Sequence, residues 1–434
     1  MEPVLTRNIR PGGPPCSLSE YEAAGGYLAL RKALSQHTPA EVVQIVVDAK
    51  LRGRGGAGFP AGDKFAALPA PDAAPRPRII LTNCDEMEPG SFKDRFLVEG
   101  DPHQLIEGML IAAYACQAEL GYMFVRAEYV RPTRILEEAI AEARAAGYLG
   151  ANIVGSGWSF ELRMHPSAGR YICGEGMGLI DAMEGKRAYP RTKPPYATAE
   201  GAWGRPTVVN NVETLCCLPH IVERGAEWFR SLGRAADAGT KIYGVSGRVR
   251  RPGCFELPMG VTLRELIEQH AGGMWEGYRF RGALPGGAST MFLDGSEMDV
   301  PLEFESLRRI GRHFGTGTVI VLDDHTCPVG MVRNLEQFFA RESCGWCTPC
   351  REGLPWIERL LGDLEEGRGR AGDIELLEEQ GRFIGPNVFC ALADGATLPL
   401  LSSIEKFRED YEDHLRRPGC RYQGAAQTAV GETR

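Results

Sequence analysis

Three cysteines two residues apart, in Cys344-Gly345-Trp346-Cys347-Thr348-Pro349-Cys350, constrain this chain more tightly than any other feature. Thiols at that spacing converge on one compact inorganic centre, and a fourth from elsewhere, here Cys390, closes it. Cys-x2-Cys-x2-Cys is ferredoxin-type spacing for a [4Fe–4S] cluster. Structural zinc sites more often use two separated pairs, so zinc and a chance grouping of core thiols stand as the alternatives. The other nine of the 13 cysteines read as ordinary core or surface thiols. No export signal opens the sequence, and 13 cysteines are too sparse for a disulfide scaffold in 434 residues.

That length supports about three domains. The texture of the sequence divides it at 1–240, 241–325 and 326–434. The first part alternates apolar strand-like runs, such as Arg78 to Thr82, Tyr122 to Arg126 and Trp158 to Met164, with helical stripes. That alternation predicts a sheet with helices on its faces. The middle part reads as a small ββα…β unit. In the last, stripes such as Leu400, Ile404, Phe407 and Tyr411 predict a helical bundle. A net charge of −8 gives no nucleic-acid footprint. The longest uncharged apolar run, Gly108 to Cys116, is too short to span a bilayer. The chain is expected on the cytoplasmic side, reaching a membrane only through partners.

Five glycines fall between Gly53 and Gly62. A helix precedes the run and Phe59-Pro60 interrupts it, which is the wrong context for a dinucleotide fingerprint. The run reads either as a structural turn or as a phosphate cradle of backbone N–H groups, with Arg54 and Lys64 adding charge. Asn83-Cys84-Asp85-Glu86-Met87-Glu88 follows a strand, where open α/β sheets bind ligands. Taken singly, this loop, the Tyr171 to Gly178 segment (Gly174, Glu175 and Gly176 within it) and Asn210-Asn211-Val212-Glu213-Thr214 are ambiguous between ligand binding and solvated surface. With no evident protein nucleophile, a cofactor is expected to carry the chemistry.

Taken in order, GRGGAGFPAGDKF, NCDEMEPGSFKDR, YICGE, RTKPPY, NNVET and ESCGWCTPCREG resemble the FMN- and NADH-binding flavoprotein subunits of respiratory complex I, over about residues 20 to 415. The resemblance implies a Rossmann-like flavin domain, a β-grasp (ubiquitin-like, soluble-ligand-binding) domain and a bundle carrying the cluster on Cys344, Cys347, Cys350 and Cys390. It implies FMN contacts from Gly53, Arg54, Gly55, Lys64, Asn83, Asp85, Glu86, Gly174, Glu175, Asn210, Asn211 and Thr214. NADH would meet Gly56, Phe59, Gly176, Lys193 and Tyr196, with Glu88 as hydrogen-bond partner of the nicotinamide amide. Implied partners are a [2Fe–2S] thioredoxin-like subunit and a larger iron–sulfur subunit, on the cytoplasmic face of the cell membrane. The diaphorase subunit of a soluble NAD-linked hydrogenase or formate dehydrogenase shares this core, and a degenerate scaffold subunit is the non-enzymatic alternative. One departure bears on nucleotide selectivity: Gly176 stands where the family motif GEETAL has its second glutamate.

Overall fold

The computed structural model describes residues 2–417 and 419–422. Residues 423–434, the end of the expected third domain, lie outside the described residues. Two four-stranded sheets organise the chain up to Asp323. The first contains β1 (Ile79–Cys84), β2 (Leu120–Val125), β3 (Glu161–Pro166) and β4 (Thr207–Asn211), all parallel, in the order β3-β2-β1-β4. β1 and β2 are buried nearly throughout, as helix-covered parallel strands must be. The Pro102–Ala115 helix covers one face and is buried almost all round. Asp101 caps it by accepting from Gln104 N–H at 3.2 Å. The apolar pattern predicts that this helix runs to about Leu120; it stops at Ala115, and Gln117 turns the chain with φ 51°.

The second sheet mixes orientations: β5 (Thr240–Ser246), β6 (Gly253–Pro258), β7 (Phe280–Leu284) and β8 (Thr318–Asp323), in the order β6-β5-β8-β7. β5 and β8 are parallel, and the outer pairs antiparallel. β4 and β7 escape the sequence reading. β4 is short and ends in two asparagines, and β7 is Phe-Arg-Gly-Ala-Leu, so neither shows clean alternation.

No strand follows Asp323 among the described residues. Helices Pro328–Glu342, Thr348–Glu365, Asp373–Ile384 and Ala391–Arg416 pack around Leu335, Phe339, Leu354, Ile357, Leu361 and Leu400. No described helix is long and apolar enough to cross a membrane.

Glu336 is an anomaly inside this bundle. It is wholly buried on the Pro328–Glu342 helix, and neither carboxyl oxygen has a hydrogen-bond partner. Burial pushes its pKa well above the usual carboxylate range, so the group is held neutral. The unfolded chain ionises it from about pH 4.3 upward. The fold therefore loses stability as pH rises above that value, by about 1.4 kcal/mol per pH unit until the folded-state pKa is reached. Glu336→Met should raise the apparent Tm, and by more at pH 8 than at pH 6. An equal difference at both pH values would show that the carboxyl ionises freely in the folded protein.

Candidate functional site

Parallel pairing brings two distant sequence segments together. In the β1/β4 register Asn83 lies beside Asn211 and Thr82 beside Asn210. β2 and β3 extend the sheet to one side of β1, and β4 adds to the other. The crevice at the C-terminal ends of β1 and β4 is thus the switch point where open sheets bind ligands. Asn83 spans it, donating from Nδ2 to Gly174 O at 2.9 Å and accepting from Asp85 N–H at 3.1 Å. The turn carrying Gly174 is thereby fixed against β1.

Beneath the crevice lies a buried charge network. Lys93 Nζ is 2.7 Å from Asp94 Oδ1 and 3.0 Å from Glu213, and Lys241 on β5 is 2.6 Å from Glu213. All four side chains are nearly inaccessible. Asn211 is clamped by this network, donating to Asp94 Oδ2 at 2.5 Å and accepting from Lys93 at 3.3 Å. Glu86, expected as a ligand contact, accepts from Ser91 Oγ and from the N–H groups of Asp94 and Arg95, each at 3.0 Å. Its carboxylate therefore caps the Lys93–Gly100 helix while also lining the cavity.

The glycine run forms a tight loop, closed where Gly53 N–H donates to Phe59 O at 2.9 Å. Gly55 sits so close to the sheet edge that a Cβ would stand 3.1 Å from Asn211 Cβ, and Gly58 (φ 66°) leaves no room beside Phe304. Arg54 points away from the crevice. Its buried guanidinium donates to Ala238 O and Thr240 O at 2.9 and 3.0 Å, and its N–H meets Thr214 Oγ1 at 2.8 Å. Lys64 donates to Val209 O at 2.8 Å, and burial together with neighbouring Lys193 lowers its pKa to about 8.

A cavity of about 930 Å³ opens above these groups, and all three parts of the chain line it. The α/β part supplies Gly55, Gly56, Asn83, Asp85, Glu88, Gly174, Glu175, Gly176, Lys193 and Asn211. The small domain adds Gly286, Ser289, Phe304 and the 312–316 segment, and the bundle adds Phe389, Cys390 and Leu398. Glu88 joins two walls: it accepts from Tyr171 Oη at 2.7 Å, Ser289 N–H at 2.6 Å and Ser289 Oγ at 3.0 Å. Gly287 permits this, since a Cβ there would lie 2.5 Å from Glu88 Cγ. Two polar atoms at the site are buried without partners, Asp85 Oδ2 and Asn210 Nδ2. Burial raises Asp85 to a pKa of about 7, even though Ser167 Oγ donates to its other oxygen at 2.7 Å. Orphaned donors and acceptors beside a backbone cradle fit a polyhydroxylated phosphate ester such as FMN.

Cys390 ties the cavity to the bundle. It lines the cavity, and its thiol is pushed up to about 11 by burial and by the nearby thiols of Cys344, Cys350 and Cys347. Cys347 and Cys390 occupy the N-caps of the Thr348–Glu365 and Ala391–Arg416 helices, whose positive ends favour an anionic centre. A four-thiol donor set converging from two loops fits a [4Fe–4S] cluster.

Eleven expected FMN or NADH contacts line the cavity, and Gly53, Arg54, Phe59, Lys64, Tyr196, Asn210 and Thr214 do not. Arg54 and Thr214 anchor the loop from below, while Phe59 and Tyr196 are 54% and 60% exposed beyond the cavity lining. The sequence reading missed Lys93, Asp94, Tyr171 and Ser289 as individual site residues. The first two stand inside the motif that ends Phe92-Lys93-Asp94-Arg95, which was the available signal.

Family models match three stretches: the Nuo51 FMN-binding domain at residues 46–220, an SLBB domain at 242–293 and the NADH-ubiquinone oxidoreductase-F iron-sulfur binding region at 330–414. The NADH-quinone oxidoreductase F-subunit of Escherichia coli (strain K12) is 52% identical over 95% of this chain and 93% of its own length. An F-subunit of the same enzyme from Rhizobium meliloti (strain 1021), numbered 2 there, is 49% identical over 96% and 99%. Among solved structures, an NAD+-reducing [NiFe]-hydrogenase in the air-oxidized state superposes with TM-score 0.81 at 34% identity, covering 96% of this chain and 67% of that one.

Asp85 gives this site a pH signature. A ligand hydroxyl donating to Oδ2 favours the ionised carboxylate, so affinity for FMN should rise with pH up to about 7 and then level off. The flavin-free protein should bind FMN about tenfold more weakly at pH 6 than at pH 8 through this group. Asp85→Asn should remove that component, leaving the titrations of the FMN phosphate and of Lys64. Titrations with identical pH dependence in both proteins would contradict a ligand contact at Asp85.

Proposed function

The chain belongs to the NADH-quinone oxidoreductase F-subunit family, and from that membership we propose how its residues divide the work of NADH oxidation. It is an oxidoreductase, the electron-input component of a multisubunit complex, with an FMN domain and a [4Fe–4S] region. Bound FMN supplies the chemistry of accepting a hydride from NADH and releasing electrons singly to the cluster. The task left to the chain is to hold two planar ring systems in one cavity and a cluster behind the wall that Cys390 forms. The observation that carries this reading is Cys390, which belongs both to the cavity wall and to the four-thiol group.

In this reading residues 1–240 form a Rossmann-like flavin domain, 241–325 a β-grasp domain of ubiquitin-like type, and 326–434 the cluster domain. Backbone N–H groups of Gly55 and Gly56 cradle phosphate, with Gly53 closing the loop through its N–H to Phe59 O and Lys64 and Lys193 supplying charge. Asn83, Asp85, Asn210 and Asn211 bind ribityl hydroxyls and ring edge, with Gly174, Glu175 and Glu86 at the wall. Arg54 and Thr214 act by positioning the loop. Glu88, held by Tyr171 and Ser289, orients the nicotinamide amide, so that hydride transfer needs no general base from the protein. The exposed faces of Phe59 and Tyr196 suit an adenine. Cys344, Cys347, Cys350 and Cys390 hold the cluster. Trp346, 60% exposed beside these thiols, marks the face that meets the next electron carrier, a [2Fe–2S] thioredoxin-like chain, alongside a larger iron–sulfur subunit. The assembly would place this chain on the cytoplasmic face of the cell membrane. The hydrogenase chains share the fold at 32–34% identity against 52% for the quinone-reductase relative, which favours quinone over a soluble hydrogenase as the destination of the electrons.

Cys347→Ser should abolish the low-temperature paramagnetic signal of the reduced cluster while bound flavin is retained, because the glycine loop lies in another domain. An unchanged signal and iron content would remove Cys347 from the ligand set.

Gly176 begins the Gly176–Met183 helix and lines the cavity, and a Cβ there would meet nothing within 4 Å. A glutamate could accept from the ribose 2′-hydroxyl of NADH and repel the 2′-phosphate of NADPH. Glu184 cannot substitute from the far end of that helix, where Trp203 N–H at 2.6 Å and Lys186 at 2.5 Å occupy it. The native chain should discriminate weakly, and Gly176→Glu should raise the NADH:NADPH ratio of kcat/KM by on the order of tenfold. An unchanged ratio would place residue 176 away from the ribose.

A further inference from the structure

At the end of the bundle remote from the cluster thiols, four side chains of metal-binding type converge. Cys327, Glu365, His414 and Cys420 place one ligand atom each within 4.8 Å of one another. They come from four separate places: the N-cap of the Pro328–Glu342 helix, the end of the Thr348–Glu365 helix, the last turn of the Ala391–Arg416 helix and the segment beyond it. From Cys350 to Glu365 the intervening helix spans about 22 Å, so this group is distinct from the cluster site.

We propose that Cys327, Glu365, His414 and Cys420 form a structural zinc site. Two thiolates, an imidazole and a carboxylate are a four-ligand N/O/S set of the kind that Zn2+ takes tetrahedrally. The distances are close to those of a coordination shell. Cys327 Sγ is 3.6 Å from His414 Nε2, His414 Nε2 is 3.1 Å from Glu365 Oε1, and Cys327 Sγ is 2.9 Å from Glu365 Oε1. Tetrahedral edges built from ordinary zinc–ligand bond lengths are about 3.5 Å from sulfur to nitrogen or oxygen and about 3.3 Å from nitrogen to oxygen. Of these three edges the Cys327–Glu365 one departs most and must lengthen by about 0.6 Å.

The surroundings are arranged for a metal as well. His414 Nδ1 is 2.6 Å from Asp410 O, so it carries the ring proton and leaves the Nε2 lone pair facing the group. Gly330 N–H donates to Cys327 Sγ at 3.3 Å, a bond that supports a thiolate. Gly330 also clears the way for the carboxylate, since a Cβ there would lie 2.9 Å from Glu365 Oε2. Binding expels the two thiol protons and leaves zinc with no open position. The site therefore serves to fasten Cys420 and three helix ends together rather than to catalyse.

The test uses the full-length protein, purified with its iron–sulfur cluster under reducing conditions and without chelators. Elemental analysis should find one zinc ion per chain. The zinc K-edge absorption, which iron does not obscure, should fit two sulfurs and two nitrogen or oxygen ligands. Cys420→Ser, outside the bundle helices, and Glu365→Gln should each lower zinc retention by about tenfold or more while iron content stays unchanged. Three results would overturn the site: no zinc even after incubation with zinc chloride and reductant, a Cys327–Cys420 disulfide in its place, or zinc lost in Cys347→Ser but retained in Cys420→Ser.

Discussion

The buried network of Lys93, Asp94, Glu213 and Lys241 is the constraint on which the rest of the site depends. Two cations and two anions are shut away from water at hydrogen-bonding distance, so each is tolerable only because the others are present. Its members come from the Lys93–Gly100 helix, the Val212–Arg224 helix and β5, and it thus fixes the angle between the parallel sheet and the second domain. The same network clamps Asn211, which faces the cavity, and Ile242 N–H donates to Glu213 at 2.8 Å. Losing one charge would leave its partners buried and unpaired, a far larger penalty than the loss of a surface ion pair.

From that junction the functional logic follows. The sheet edge offers polar groups at a switch point, the glycine loop offers backbone N–H groups, and neither could enclose a ligand alone. Enclosure comes from the second domain through Gly287 and Ser289, which receive Glu88, and from the bundle through the Phe389–Leu392 turn. A cavity bounded by three domains lets the flavin domain and the cluster domain share a wall. Cys390 stands in that wall, so a cluster held by this thiol group would lie little protein away from a flavin in the cavity.

Much of this was legible in the residues, for reasons that can be named. Cysteine spacing survives in sequence because Cys344, Cys347 and Cys350 stand within one short segment. The sheet was visible where strands are continuous apolar runs, as in β1, and invisible in β7, whose glycine and arginine break the pattern. The motifs identified the crevice but not the direction of each side chain. Arg54, basic and beside glycines, reads as a phosphate ligand, yet its guanidinium satisfies the carbonyls of Ala238 and Thr240 where the chain enters the second sheet. Cys327 and Cys420 read as unremarkable thiols because they stand far apart in the chain and their companions Glu365 and His414 lie on other helices. Only tertiary packing brings such groups together, and no local period encodes it.

The central claim is that FMN occupies the three-domain cavity, with the glycine loop on one side and the Cys390 turn on the other. A crystal structure of the FMN-loaded protein tests it most directly. The account predicts flavin density inside this cavity, phosphate against the N–H groups of Gly55 and Gly56, and a flavin donor on Asp85 Oδ2. Flavin density anywhere else on the molecule, with Asp85 Oδ2 still unpartnered, would contradict it.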